Sequence, residues 1–388
     1  MSYFARVPFM LTGLLIAGCA SIPPGSEFKG PADIAPATVS VVETKEDRLY
    51  PVLYGTSRTA NATGFSDDRD SQVHYGRVLV KIPKGHMTGS TGAKAVFPWQ
   101  HDTALSIANI ESSANQDAFV QMMKTQLKGS KLAGSEYVVV FIHGFNNTFE
   151  SAAIRAAQIG ADLDIPDNSM MFYSWAAQHD IDRYTVDEAT VDASEVYLRE
   201  FLRTVMRGAG SRKVHVIAHS MGNRALLRAV VGSLESVSAE QRIKFGQVIL
   251  AAADIDRDLF AQLAPNYLKV AERTTIYLSP YDFAVHASEL VHLYPRVGCG
   301  DAPQVTIPGI DNVVSLVPED MPAHAYIAEA LPLLVDIKNL FQRDVPERSS
   351  AAWKKQAEGV WTVGSPNPSW IAGRTMCKTK DTMHVKAN

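Results

Sequence analysis

The sequence predicts an α/β architecture, a mostly parallel sheet flanked by helices. From Glu136 onward, short apolar β-branched runs alternate with longer helical patterns, which is how parallel strands joined by crossover helices read. The chain of 388 residues is 46% hydrophobic and 20% charged, so it can bury a sizeable core and is neither wholly disordered nor a polytopic membrane protein. Lys plus Arg number 37 against 41 Asp plus Glu, a net charge of -4. That balance lacks the basic excess with which nucleic-acid binders neutralise phosphates, so no nucleic-acid partner is expected.

In chain order, residues 1–18 carry one early cation, Arg6, and then an apolar stretch that ends in small residues before Cys19. The run is short for a membrane span and reads as a signal peptide. Ile16-Ala17-Gly18-Cys19 resembles the lipobox of bacterial lipoproteins, which implies cleavage and lipidation at Cys19 and a membrane partner through that lipid. Plain secretion or a retained anchor helix is the alternative. No Asp follows Cys19, so the resemblance points to the periplasmic face of an outer membrane. Residues 19–45 have the Pro/Ala/Thr-rich composition of a tether.

The main folded domain is expected over residues 46–343. Strands are predicted at 52–54 and 78–82, with a polar segment between them, and a helix over 107–127. Further strands are predicted at 137–142, 170–175, 214–218, 248–252 and 274–278, with a weaker one at 305–308. Helical patterns fall at 149–163, 191–206, 221–234, 257–263 and 283–293, with a last amphipathic helix over 325–341. Residues 344–388 form a C-terminal extension whose Trp353, Trp361 and Trp370 sit in no recognisable pattern.

Chemistry gathers at the strand ends. The predicted strand 214–218 runs into His219-Ser220-Met221-Gly222 and then a helical pattern, the strand–turn–helix context of a nucleophile elbow with Ala218 in place of the first glycine. The alternative is a structural serine capping a helix. An oxyanion needs backbone donors; Met221 supplies one, and the turn His143-Gly144-Phe145-Asn146 after strand 137–142 supplies a second from Phe145 or Asn146.

These pieces resemble the α/β-hydrolase superfamily, and within it a bacterial esterase/lipase-like family long described as a domain of unknown function. The resemblance rests on Phe141-Ile142-His143-Gly144-Phe145-Asn146, Phe172-Tyr173-Ser174-Trp175, Ile217 through Asn223, Tyr277 through Asp282, and His324-Ala325-Tyr326. It implies the α/β-hydrolase fold, a serine nucleophile and a triad in the order Ser, acid, His. Asp282 follows strand 274–278 as the acid, with Asp254 and Asp256 as rivals or helix caps. His324, before the last helix, is the base, with His286 as runner-up. The family pattern has Ser where Ala325 stands.

The implied activity is cleavage of an ester-type acyl bond through an acyl-enzyme, with a small-molecule or lipid acyl substrate and no cofactor. No metal is expected, and His179 through Asp182 read as a solvated loop. A non-catalytic envelope scaffold, or peptidase or acyltransferase chemistry, are the other readings. The segment 175–193, with Trp175 and Tyr184, is expected to border the pocket. Of three cysteines, Cys299 and Cys377 form a possible disulfide or stay as two free thiols.

Overall fold

The computed structural model describes residues 45–92, 104–128, 137–236, 242–300, 304–317, 323–346 and 348–365. The chain divides into two units, Met1–Pro36 and Ala37–Asn388, and all described residues belong to the second. The signal peptide, Cys19, most of the tether and Cys377 lie outside the described residues.

The chain enters through a long hairpin of β1 (Arg48–Ala60) and β2 (Phe65–Ile82), followed by β3 (Ser106–Ser112) and α1 (Gln116–Lys128). The polar segment after residue 64 is therefore strand, and the helix expected over 107–127 is an edge strand followed by a helix. Ile107 and Ile110 of β3 pair with Val80 and Val78, and Asn115 caps α1 by accepting from Ala118 N. A half-exposed edge strand leaves little hydrophobic periodicity, which is why the sequence reads as one helix.

Next come β4 (Tyr137–Ile142), α2 (Phe149–Asp162), β5 (Met170–Ser174), α3 (Tyr184–Ala193), α4 (Glu195–Ala209), β6 (Lys213–His219) and α5 (Gly222–Ser236). Every residue of β4 and β5 is buried, as strands covered on both faces require. The single helix expected at 191–206 is two, bent at Ser194, whose hydroxyl bonds back to Val191 O at 2.8 Å.

The second half comprises β7 (Phe245–Ala251), α6 (Arg257–Leu263), β8 (Ala271–Leu278), α7 (Phe283–His292), β9 (Ile310–Ser315), α8 (Tyr326–Glu329), α9 (Leu331–Arg343), β10 (Trp353–Ala357) and β11 (Val360–Val363). The weak strand expected at 305–308 is a loop; Pro308 cannot donate to a ladder and Gly309 turns with φ 88°, so the strand begins at Ile310. The final helix is interrupted at Ala330, because Pro332 is accommodated only near a helix start.

All eleven strands form one sheet in the order β10-β11-β9-β8-β7-β6-β4-β5-β1-β2-β3. From β11 through β1 neighbours are parallel, and antiparallel strands close both ends. The described part of the extension thus belongs to the sheet. Arg348 holds it there: buried, it pairs with Asp336 at 3.0 Å and Asp311 at 3.2 Å and lies under the rings of Trp353 and Trp361. Two apolar cores fill the faces of the sheet.

Strand order also locates the crevice. The chain leaves β4 for β5 on one side and returns to β6 on the other. Ligands of open α/β sheets bind outside the carboxyl ends of strands at such a switch point. The segments emerging there are His143-Gly144 and His219-Ser220.

Candidate active site

Ser220 sits in the turn between β6 and α5 with φ 53°, a left-handed backbone that a side chain adopts only at a cost. Its N–H donates to Ala251 O at 3.0 Å, and Asn223 Nδ2 donates to both Ser220 O and Ala251 O. The elbow is thereby tied to the end of β7. A side chain on Gly222 would meet His143 O at 2.5 Å and Ile142 O at 2.8 Å. The small residue is needed because the elbow presses on the exit of β4.

The exit of β4 in turn touches the serine. A Cβ on Gly144 would lie 2.6 Å from Ser220 Cβ, so only glycine lets this loop approach. Met221 lies one residue before α5, where helix amides lack partners within the helix. Of the two donors weighed on the facing loop, the Asn146 amide is near enough to the Asp187 carboxylate to help lower its pKa. Asn146 itself has φ 57°. Together with Ser220, Ala252 and Ala323 it makes four of the eight non-glycine positive-φ residues among those described, a clustering typical of functional sites.

His143 is held rather than free. Its Nδ1 lies 2.8 Å from Gly144 O and its Nε2 3.1 Å from Ser174 Oγ. A carbonyl only accepts, so Nδ1 carries the proton and Nε2 accepts from the serine. Ser174 Oγ accepts in turn from Arg58 Nε at 2.9 Å. Burial, then the Arg58 cation, push the His143 pKa down to about 3. Trp175 stacks on this ring and donates to His143 O at 2.8 Å; it is a packing residue.

Asp282 and His324 meet across the crevice. Both carboxylate oxygens of Asp282 lie 2.8 Å from His324 Nδ1, and Oδ1 also accepts from Val285 N at 3.0 Å as the N-cap of α7. Burial opposes a charge on His324, but Asp282, by charge and hydrogen bond, more than offsets it, so the imidazole pKa stands above its ordinary value. The loop carrying His324 is fixed twice. His219 Nε2 donates to His324 O at 2.8 Å, and Tyr326 OH donates to Tyr277 O at 2.9 Å. His219, next to Ser220 in sequence, thus holds the backbone of His324.

The rivals have other partners. Asp256 caps α6 by accepting from Leu259 N, and the His286 ring lies beside Glu289 on α7. Asp254 is not a cap. It accepts from Arg296 Nε at 2.8 Å, from Ser288 and from Tyr184. Burial resists its charge, yet Arg296 and the two hydroxyls hold the carboxyl below its usual range. Tyr184 meanwhile sets its ring edge against Phe145, so α3 covers the loop facing Ser220.

Residues 115–306 match the family described as "Alpha/beta hydrolase of unknown function (DUF900)". The chain has the α/β-hydrolase fold. It is also similar to a solved structure, "Putative hydrolase from Agrobacterium vitis S4", at 10% identity over 69% of this chain and 89% of that one, with a TM-score of 0.28. No curated protein matches it. Cys299 is disulfide-bonded. Among the described residues, no helix is long and apolar enough to cross a membrane.

Proposed function

We propose that the protein is a serine hydrolase that cleaves an ester-type acyl bond through Ser220, His324 and Asp282, anchored to the bacterial envelope by lipid on Cys19. The observation that carries the reading is the Asp282–His324 pair, whose 2.8 Å contacts engage Nδ1 and leave Nε2 for proton exchange beside the elbow. His324 takes the Ser220 proton as Oγ attacks the acyl carbon. Asp282 holds the tautomer and stabilises the imidazolium, and the Met221 and Phe145 amides receive the oxyanion. The imidazolium gives its proton to the leaving alcohol. Water, activated by the same ring, then releases the acid and restores the serine.

No hydrogen bond joins Ser220 Oγ to His324 among the described residues, and such bonds commonly close only around substrate. The test is labelling of the purified full-length protein with a fluorophosphonate, read by intact mass. One adduct that disappears in Ser220→Ala is expected, along with a loss of about 10⁴- to 10⁶-fold in ester turnover. An adduct that persists in Ser220→Ala, or none on folded protein, would overturn the assignment.

A further inference from the structure

We infer that the cleft between α2 and α8 receives one limb of the substrate, and that this limb is medium-sized, mainly apolar and uncharged, with a polar group at the rim. The inference rests on the serine-hydrolase reading and names the substrate class for that site. The cleft has a volume of about 400 Å³ and is bounded by Gly144 and His324 at the catalytic end. Because Gly144 packs directly on Ser220, a group in the cleft lies within one residue of the nucleophile.

The lining is graded. Phe141, Ile159, Ile327 and Ala328, each at most 4% exposed, form the inner wall. Arg155 of α2 and Glu329 of α8, side chains 25% and 38% exposed, bridge the two helices at 3.1 Å. Both guanidinium Nη atoms bond to the same carboxylate oxygen, Oε1. Arg155 Nη1 also donates to Gln158 Oε1 at 2.9 Å, so its Nε–H and one Nη2–H remain as donors, and Glu329 Oε2 as an acceptor, on a pair with no net charge. A free carboxylate or ammonium there would meet an opposing charge along with its partner, whereas a hydroxyl, amide or ester group would find both complements. Of the other ionisable groups on the wall, His143 and His219 are held neutral by burial, and His324 stands at the catalytic end. At about 30 Å³ per water-sized group, the cleft takes roughly a dozen non-hydrogen atoms.

The experiment compares full-length protein with Ala328→Leu, which fills the inner wall, and Glu329→Gln, which leaves the Arg155 cation unpaired at the half-exposed rim. Substrates are p-nitrophenyl acetate, a neutral ester with about eight acyl carbons, and an equally long ester ending in a carboxylate. The wild type is expected to prefer the neutral eight-carbon ester over acetate by about tenfold or more in kcat/KM, and over the carboxylate-ended ester by a similar factor. Ala328→Leu should bring the first ratio to about one while phosphonate labelling of Ser220 persists. Glu329→Gln should lower the second by about tenfold. Unchanged ratios in both folded, labelled variants would overturn the inference. Absence of wild-type labelling would instead overturn the hydrolase reading beneath it.

Discussion

Asp282 and Asp254 sit at the ends of neighbouring strands, β8 and β7, both almost wholly buried, and either could serve a triad by position alone. They differ in who uses their lone pairs. Asp254 is surrounded by an arginine, a serine and a tyrosine, while Asp282 gives both oxygens to His324 and one to a helix amide. The first arrangement stores a charge in the core and fastens α3 and α7 to the strand end. The second orients an imidazole, the proton carrier of the proposed mechanism. Topology nominates a catalytic carboxylate, and its hydrogen-bond partners decide whether it can act as one.

The largest effect that would break this comparison is on rate. Asp282→Asn is expected to lower kcat by about 10⁴-fold, because the amide no longer holds the imidazole in its working tautomer, with little change in urea midpoint at a pH above the folded His324 pKa, where that pair no longer adds to stability. Asp254→Asn should do the reverse. It leaves Arg296, a buried cation, facing a neutral partner, and loss of one member of a buried pair destabilises by about 3–5 kcal/mol. Activity per folded molecule should stay within about threefold of wild type, since no catalytic group is removed. Paired kinetics and urea melts on the two variants check this; a rate collapse in Asp254→Asn with Asp282→Asn intact would exchange the roles.

That contrast also marks how far the sequence could be read. The elbow was legible because a strand, a serine between small residues and a helix follow one another locally, and Gly222 and Gly144 prove tight for reasons of backbone approach. The parallel order was legible from β-branched runs buried on both faces. What escaped detection depends on distant partners: Arg58 reaching Ser174, Asp67 and Asn147, His219 holding the carbonyl of residue 324, and Asn223 tying two strand ends together. None of these residues has neighbours in sequence that announce its partner. Edge elements β3, β10 and β11 escaped for another reason, since half-exposed strands need no strict alternation.

A smaller effect separates the two carboxylates by pH. In the proposed mechanism His324 must be neutral to accept the Ser220 proton, and its folded pKa lies above the ordinary 6.5. The phosphonylation rate should therefore rise with pH through a midpoint above that value. The same raised pKa means that the His324–Asp282 pair stabilises the fold fully below the unfolded-state value and that this contribution is lost as pH rises through the folded one. Asp254 also favours the imidazolium, but less than Asp282. Asp254→Asn should lower the midpoint slightly and Asp282→Asn much more; equal shifts would mean that long-range charge, rather than the direct contact, sets the base.

The smallest effect comes from a third carboxylate that is neither a charge store nor an orienting group. Asp187 of α3 is fully buried; Oδ1 accepts from Gln178 N at 2.9 Å, while Oδ2 has no partner. Burial pushes its pKa up to about 6, against the opposing pull of the Gln178 and Asn146 amides and Arg58. Between the ordinary 3.8 and that value the folded chain binds more protons than the unfolded one, so stability falls as pH rises through this window and stays lowered above it. Asp187→Asn retains the acceptor and removes the titration. At pH 7.5 it should gain about 1–3 kcal/mol in urea unfolding, the upper limit being a two-unit shift, and below pH 4 about nothing. A gain that is the same at both pH values would trace to packing rather than to charge. A gain confined to high pH would show that the fold holds an under-paired carboxylate on α3.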